Sequence, residues 1–227
     1  MPSFKQRIIS RLPFTLTAKA CMNAVIDHFA PLRNSYSQDG EDVIVEDILN
    51  KSKCDSRFYI DVGANHPTRL SNTYRSYRQG WRGLTIEPNR KLLALHRAFR
   101  PQDIQLAIGC GSVPDVLPFR HSVNHVLSGF TSTGLKKSQE LATELLPVMP
   151  LDLIVRHLDI AEVAVLSIDV EGFDLEVAKG APRLLASTRV VVFEKSEQPD
   201  EETEFFKSAG FKVAASTKHN LVFSKCG

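Results

Sequence analysis

Short apolar runs that alternate with helical patterns constrain the fold of this 227-residue chain more than any other feature. The runs are nearly continuous and rich in β-branched residues, as is typical of strands buried on both faces of a parallel sheet. They are Phe58 to Val62, Gly83 to Ile86, Ile104 to Ile108, Val163 to Ile168 and Arg189 to Phe193. The helical patterns are Ser71 to Gln79, Asn89 to Phe99, and Phe173 to Ala186 with a break at KGAP. This alternation predicts a doubly wound α/β sheet.

The C-terminal segment departs from the alternation. After a short helical pattern, the runs from Phe211 to Ala215 and from Leu221 to Ser224 are separated by a polar turn. Strands joined by so few residues must be antiparallel, because a parallel pair needs a long crossover. The sequence therefore predicts a seven-stranded, mostly parallel sheet that ends in an antiparallel hairpin, unlike the sheet of NAD-binding proteins.

Two connecting segments carry predictions of their own. The segment from Cys110 to Ile160 is long for one crossover, and its sequence DVLPFRHSVNHVLSGFTSTG predicts a hairpin or a loop over the ligand site. One or two short helices are predicted after it, and long loops in compact domains are often lids. The sequence SQDGEDVIVEDILN predicts a helix with Ser37 or Asp39 as its N-cap.

Acidic residues close four of the five apolar runs. In an open α/β sheet, ligands bind outside the carboxyl ends of the strands, where these residues lie. Glu87 lies 24 residues beyond Gly63. A carboxylate at about this distance can accept both ribose hydroxyls of an adenosine ligand. The four acids are Asp61, Glu87, Asp169 and Glu194.

The loop in the sequence FYIDVGANHP indicates which adenosine ligand is bound. A dinucleotide needs further glycines so that backbone can approach its pyrophosphate, but bulkier residues follow Gly63. S-adenosylmethionine has no phosphate, and its ammonium and sulfonium groups are cationic. Asp61 and Asp169 suit that charge, although Asp61 could instead cap or brace the loop.

Three sequence blocks resemble the FkbM-type S-adenosylmethionine-dependent methyltransferases. They are SQDGEDVIVEDIL, YIDVGANHPTRLSNTYRSYRQGWRGLTIEPN and LSIDVEGFDLEVAKGA, and the resemblance runs from about residue 36 to residue 225. It implies a class I methyltransferase fold with S-adenosylmethionine as the cofactor. It also implies, for most members, O-methylation of a hydroxyl on a sugar, glycolipid or polyketide-type natural product.

The resemblance also implies which residues bind the cofactor. The loop after the first strand would contact its methionine part, Glu87 its ribose, and the end of the third strand its adenine. Pro67 stands where many members have glycine, and this departure leaves the role of His66 open. The predicted cofactor-binding residues are Asp61, Gly63, Ala64, Asn65, Glu87, Pro88, Ala107, Ile108 and Asp169.

Glu171 and His66 are the predicted catalytic residues. An alcohol is a poor nucleophile at neutral pH, so a general base should assist its methylation. Glu171 follows Asp169 by two residues and could face the substrate, or it could be a carboxylate favoured by a helix N-terminus. His66 lies beside the cofactor loop but could equally be a surface histidine; His121, His125 and His219 are more remote candidates.

Metal, nucleic acid and disulfides are not expected. Asp169, Glu171 and Glu194 could offer oxygen ligands to a metal, but we expect none. A net charge of +2 argues against nonspecific binding of nucleic acid. Four scattered cysteines without ligand spacing argue against zinc or disulfides and indicate a cytoplasmic protein.

Residues 1–35 are predicted to form a helical arm, and residues 36–227 the methyltransferase domain. Lys5, Arg7 and Arg11 precede the sequence LPFTLTAKACMNAVI, which resembles a weak signal or transit peptide interrupted by Pro13 and Lys19. The arm could pack on the domain or on a partner, including a second copy in a homodimer. It could instead anchor the protein to a membrane surface, because basic and apolar residues interleave in it.

The sequence thus predicts an S-adenosylmethionine-dependent O-methyltransferase that acts on a small-molecule or glycan acceptor. One alternative is a domain that binds S-adenosylmethionine or a glycan without turnover. An NAD-linked oxidoreductase is disfavoured by the missing glycines and by the final hairpin.

Overall fold

The computed structural model describes residues 13–31, 33–52, 54–122, 128–130, 140–196 and 199–225. The helices in these ranges are α1 (Pro13–Phe29), α2 (Glu41–Lys51), α3 (Tyr74–Arg78), α4 (Arg90–Phe99), α5 (Leu151–His157), α6 (Asp174–Lys179), α7 (Pro182–Ser187) and α8 (Pro199–Ser208). The strands are β1 (Phe58–Val62), β2 (Arg82–Ile86), β3 (Ile104–Leu106), β4 (Gly109–Cys110), β5 (Asp115–Ser122), β6 (Glu140–Met149), β7 (Val163–Ile168), β8 (Thr188–Glu194), β9 (Lys212–Ser216) and β10 (Asn220–Ser224).

The central sheet has seven strands in the order β3-β2-β1-β7-β8-β10-β9. Strand β10 is antiparallel to both of its neighbours, and the other pairs are parallel. The predicted α/β sheet with a C-terminal antiparallel hairpin is therefore confirmed. The strand order reverses between β1 and β7, and this position is where an open α/β sheet binds its ligand.

Both faces of the central strands are buried, which explains why their sequences read as continuous apolar runs. On one face, Ile60 and Ile168 join a core cluster that includes residues of α5, α6 and α7. On the other face, Tyr59 and Val165 pack with residues of α2. Successive side chains of a strand point to opposite faces, so a strand buried on both sides has few positions left for polar residues.

The segment between β4 and β7 forms a second sheet and a short helix. Strands β5 and β6 pair antiparallel, as the predicted hairpin requires, and β4 completes a second sheet in the order β4-β6-β5. One short helix, α5, follows β6, within the prediction of one or two short helices after the hairpin. In β6, Leu146 and Val148 are buried while Leu145 and Pro147 are exposed. This period of two is that of a strand with one buried face, and pairing with β5 fixes it. The predicted loop over the site falls partly on residues 123–127 and 131–139, outside the described residues.

The start of α2 also differs from the prediction. Gly40, with a φ of 90°, occupies the N-cap position in place of Ser37 or Asp39. The Ser37 hydroxyl accepts a hydrogen bond from the Gly40 amide (3.1 Å), so it supports the turn before the helix. The Asp39 carboxylate instead accepts from the His219 amide (3.0 Å) in the turn between β9 and β10. The Asp39 carboxylate, which was a predicted N-cap of α2, thus binds this hairpin instead.

Helix α1 packs against α4. The buried Ala24 contacts a small cluster with Leu92, Leu95 and Phe99. Asp27, also buried, pairs with Arg33 at 2.7 Å and with Arg69 at 2.5 Å. No helix in the described ranges is long and apolar enough to cross a membrane.

Candidate active site

A cleft opens at the carboxyl ends of β1, β2 and β7, where the strand order reverses. Most of the predicted site residues line it. They are Gly63, Asn65, Glu87, Pro88, Ile108, Asp169 and Glu171.

The loop after β1 touches the loop after β7 at Gly63. This glycine has a φ of 77°, and a Cβ atom there would lie 1.8 Å from the carbonyl oxygen of Asp169. Only glycine avoids both the steric clash and the backbone strain. The close approach brings Asn65 and Asp169 to the same cleft, as the sequence predicted for the cofactor loop.

Glu87 is fixed at the end of β2 by two backbone amides. Its Oε2 accepts from the Asn65 amide (2.8 Å), and its Oε1 accepts from the Asn89 amide (2.7 Å). Each oxygen keeps a second lone pair, so the carboxylate could still accept the two ribose hydroxyls. Burial raises the pKa of Glu87 to about 7.

The Asn65 side chain supplies a further sign that a ligand fits here. Its Oδ1 is buried and has no hydrogen-bond partner among the described residues. Buried acceptors are normally satisfied, so an unpaired one in a cleft favours a ligand that brings a donor. The ammonium and hydroxyl groups of S-adenosylmethionine are such donors.

Asp61 does not line the cleft, and its predicted contact with the cofactor's positive charge is corrected. The carboxylate is buried, accepts a hydrogen bond from the Thr73 hydroxyl, and lies 3.7 Å from the Arg100 guanidinium. It therefore braces the loop from beneath, which was the alternative that the sequence left open. Arg100 is fully buried and also donates to the Pro67 carbonyl (2.8 Å). Nothing in its sequence context indicates this role.

His66 also faces away from the cleft, which corrects its predicted role as a base. Its Nδ1 accepts from the Thr68 amide (3.2 Å), so the proton lies on Nε2, which donates to the Ala20 carbonyl of α1 (3.1 Å). The ring is buried between the loop and α1 and cannot reach a substrate in the cleft. Ala64 and Ala107 lie beside lining residues without lining the cleft themselves.

Three carboxylates meet at the β7 side of the cleft: Asp169, Glu171 and Glu194 each offer an oxygen within 4.8 Å of the others. Burial and mutual repulsion raise the pKa of both Asp169 and Glu194, so that this pair holds a proton near neutral pH. Burial, with the charge of Asp174, raises the pKa of Glu171 to about 7. The cluster could also hold a metal ion, and the expectation of no metal stays a prediction.

The turn that presents Glu171 is held by two other acids. Glu171 has a φ of 58°, and its amide donates to Glu194 Oε2 (3.2 Å). The Asp174 carboxylate accepts from the Val170 and Gly172 amides, both at 2.9 Å. A non-glycine residue with positive φ is strained, and such residues cluster at functional sites. The sequence did not assign a role to Asp174, whose carboxylate fixes this turn from the first residue of α6.

The segment between β4 and β7 supplies an aromatic wall of the cleft. Phe119 and Phe130 line it with their ring centroids 5.1 Å apart, and Phe130 also contacts Phe173. The opposite wall includes Gln38 and Leu70. Among the more remote histidines, His121 contacts Glu144 at 3.3 Å and His219 contacts Asp39 at 2.8 Å; His125 lies outside the described residues.

Three features together define a class I methyltransferase. They are the order of the strands in the sheet, the final antiparallel hairpin, and a carboxylate at the end of β2 in a site that has no phosphate-binding loop. The family model of the methyltransferase FkbM domain matches residues 61–213. The chain belongs to this family, and its cofactor is S-adenosylmethionine.

The solved structures to which the chain is similar are distant in sequence. The precorrin-6y C5,15-methyltransferase of Geobacter metallireducens GS-15 has a TM-score of 0.46 at 14% identity, covering 88% of this chain and 95% of its own. The magnesium protoporphyrin IX methyltransferase of Synechocystis PCC 6803, solved with bound S-adenosylmethionine, has a TM-score of 0.45 at 9% identity, covering 99% of each chain. No curated protein sequence matches the chain.

Replacing Glu87 with Gln should weaken the binding of S-adenosylhomocysteine by about 10- to 100-fold at pH 8, the loss expected for hydrogen bonds to a charged group. Ribose hydroxyls donate to the carboxylate, so binding to the native protein should weaken as the pH falls through about 7, where Glu87 gains a proton. Calorimetry across pH checks both effects.

Glu171 titrates in the same range, so the difference between the native and Glu87→Gln pH profiles isolates Glu87. Glu204→Gln, on the exposed surface of α8, is the matched control and should bind as the native protein does. Equal affinity of the Glu87→Gln variant at pH 8 would remove Glu87 from the cofactor site.

Proposed function

We propose that the protein methylates a hydroxyl group of a small-molecule or glycan acceptor, with Glu171 as the general base. The observation that carries the proposal is the position of Glu171. It lines the cofactor cleft, follows Asp169 in the same turn, and its pKa is raised to about 7. A base with a pKa near the operating pH is the most effective one.

Different residues of the cleft have different roles in the reaction. S-adenosylmethionine supplies an electrophilic methyl group when it is bound. Glu87 and Asn65 hold the cofactor, and Glu171 accepts the proton of the acceptor hydroxyl as its oxygen is methylated. Glu194 positions Glu171 through its hydrogen bond to the Glu171 amide, and much of the rate enhancement comes from such positioning.

The charge of the cleft supports a neutral acceptor. None of the described residues that line it is Lys, Arg or His, so these residues offer no counter-charge to a phosphorylated acceptor or RNA. The rings of Phe119 and Phe130 offer an apolar wall on which the flat face of a sugar or of a polyketide could pack.

A screen with isotope-labelled S-adenosylmethionine tests the proposal. We expect label in an ether-linked methyl group on neutral glycans, lipid-linked sugars or polyketide alcohols, detected as a mass shift after fragmentation. Phosphorylated sugars, amines and RNA serve as competing acceptors. Label found only on nitrogen, on carbon or on RNA would contradict the O-methyltransferase, and tight binding of S-adenosylhomocysteine without transfer to any acceptor would favour the binding domain.

The described cysteines support the proposed cytoplasmic location. Cys21, Cys54 and Cys110 are all free. Free thiols persist in a reducing compartment.

A further inference from the structure

The outer face of α1 is apolar and is not covered by any described residue. Met22, Val25, Ile26 and Phe29 recur at the spacing that places side chains on one face of a helix. All four are exposed, and Phe29 is 81% exposed. Soluble monomers rarely leave a contiguous apolar patch open without a function.

The inner face of the same helix is firmly attached to the domain, so the exposed face is not the result of a loosely placed helix. Ala24 packs on α4, and the buried Asp27 pairs with Arg33 and Arg69. Arg78 donates to the carbonyl oxygens of Asp27 and Ala30, both at 3.2 Å. The helix therefore has one face fixed and one face available.

The charge of this part of the chain indicates what the free face binds. Residues 1–35 hold five basic residues, Lys5, Arg7, Arg11, Lys19 and Arg33, and one acid, Asp27. Asp27 and Arg33 form an ion pair with each other, so the other four basic residues are the excess positive charge of this part of the chain. The rest of the chain holds 23 of the 28 basic and 25 of the 26 acidic residues, so the net charge of +2 comes from the N-terminal part.

We infer that α1 and the basic segment before it bind the surface of a bilayer that contains anionic lipids. An apolar helix face next to a cluster of Lys and Arg is the combination that holds a helix in the plane of such a membrane. A second copy of the chain fits less well, because a symmetric dimer through this face would bring two positively charged segments together.

Membrane binding would also determine where the active site lies relative to the bilayer. The Ala20 carbonyl accepts from His66, and Asp27 pairs with Arg69, so α1 is joined to the loop that follows β1. Leu70, the next residue, is exposed and lines the cleft. The mouth of the cleft would therefore lie close to the bilayer surface. The inference does not depend on the reaction that the cleft performs.

Co-sedimentation of the full chain with vesicles tests this inference. We expect binding to vesicles of phosphatidylcholine mixed with phosphatidylglycerol, and weak binding to phosphatidylcholine alone. Raising the salt concentration should weaken binding to the anionic vesicles, because salt screens the attraction. The double variant Ile26→Glu/Phe29→Glu should bind them at least about tenfold more weakly, because it adds charges where apolar groups enter the interface.

The double variant Val116→Glu/Leu145→Glu is the matched control, since it places the same charges on exposed apolar positions of β5 and β6. It should bind anionic vesicles as the native protein does. Thermal melting and S-adenosylhomocysteine binding check that both variants fold. If the α1 variant does not fold, Lys5→Ser/Arg7→Ser/Arg11→Ser replaces it, with an expected loss on the order of 100-fold.

Equal vesicle binding by the native protein and a folded α1 or basic-segment variant would overturn the inference. Failure of the native protein to bind anionic vesicles would also overturn the inference. If that protein also forms a dimer in size-exclusion chromatography that Ile26→Glu/Phe29→Glu dissociates, the face belongs to a second copy.

Discussion

Replacing Glu171 with Gln should lower kcat by about 10²- to 10⁴-fold, the usual contribution of a general base. Gln has nearly the same shape as Glu but cannot accept the proton of the acceptor hydroxyl. The backbone bond from the Glu171 amide to Glu194 does not involve the replaced group, so the turn should keep its conformation. Affinity for S-adenosylhomocysteine should therefore change little.

The pH dependence of the native enzyme gives an independent test of Glu171. Its pKa is raised from 4.5 to about 7, so the carboxyl is protonated below that pH and cannot act as a base. At saturating S-adenosylmethionine, kcat should fall as the pH drops through about 7 and should level off above it, because the weaker cofactor binding expected from protonation of Glu87 then does not limit the rate. The Gln variant should lose this dependence, whereas Glu204→Gln should keep both the rate and the profile.

A normal kcat for Glu171→Gln would exclude Glu171 as the base. A chelator added to the native enzyme should not change the rate if the predicted absence of a metal holds. Loss of activity that a divalent cation restores would instead assign Asp169, Glu171 and Glu194 as metal ligands, since their oxygens lie close enough together.

The sequence predicted the central sheet well because its signals are local. The run from Phe58 to Val62 and the run from Val163 to Ile168 coincide with β1 and β7. Polar residues at their ends then had to meet at one edge of the sheet, because the carboxyl ends of parallel strands do so. The positions of Gly63 and Glu87 in the cleft follow from the same geometry.

The wrong predictions concern residues whose roles depend on distant partners. Asp61 has the sequence position of a ligand-binding acid. Its carboxylate instead pairs beneath the loop with the guanidinium of Arg100, which lies 39 positions later in the chain. His66 is drawn away from the cleft by a carbonyl of α1. Neither of these partners has a local signal in the sequence.

Arg100 holds the cofactor loop in place from within the core, and its replacement should have the largest effect on stability. The guanidinium is fully buried and donates to the Thr73 hydroxyl (2.8 Å) and the Ser71 hydroxyl (2.7 Å), besides the Pro67 carbonyl. It also lies over the Tyr74 ring, 5.2 Å from the ring centroid. Because the site is buried, water could replace few of these contacts in a variant that lacks the guanidinium.

Replacing Arg100 with Met should lower the free energy of unfolding at pH 7 by about 3–5 kcal/mol, the cost of breaking a buried ion pair on one side. The variant leaves the Asp61 carboxylate buried without a cation. Because burial already raises the pKa of Asp61, the variant carboxyl should be protonated more readily. The loss should therefore shrink as the pH falls toward 3.8, the ordinary pKa of aspartate.

Urea denaturation of four proteins measures the effect: native, Arg100→Met, Arg100→Met/Asp61→Asn, and Arg97→Met. The second substitution removes the uncompensated charge, so the double variant should recover part of the lost stability. Arg97 is exposed on α4, the helix that ends one residue before Arg100, and is the matched control, with an expected change within about 0.5 kcal/mol. A loss below about 1 kcal/mol for Arg100→Met would mean that the loop does not depend on this residue, because breaking a buried pair costs several times more. A double variant no more stable than the single one would show that the hydrogen bonds to Pro67, Ser71 and Thr73, and not the charge of Asp61, determine the contribution of Arg100.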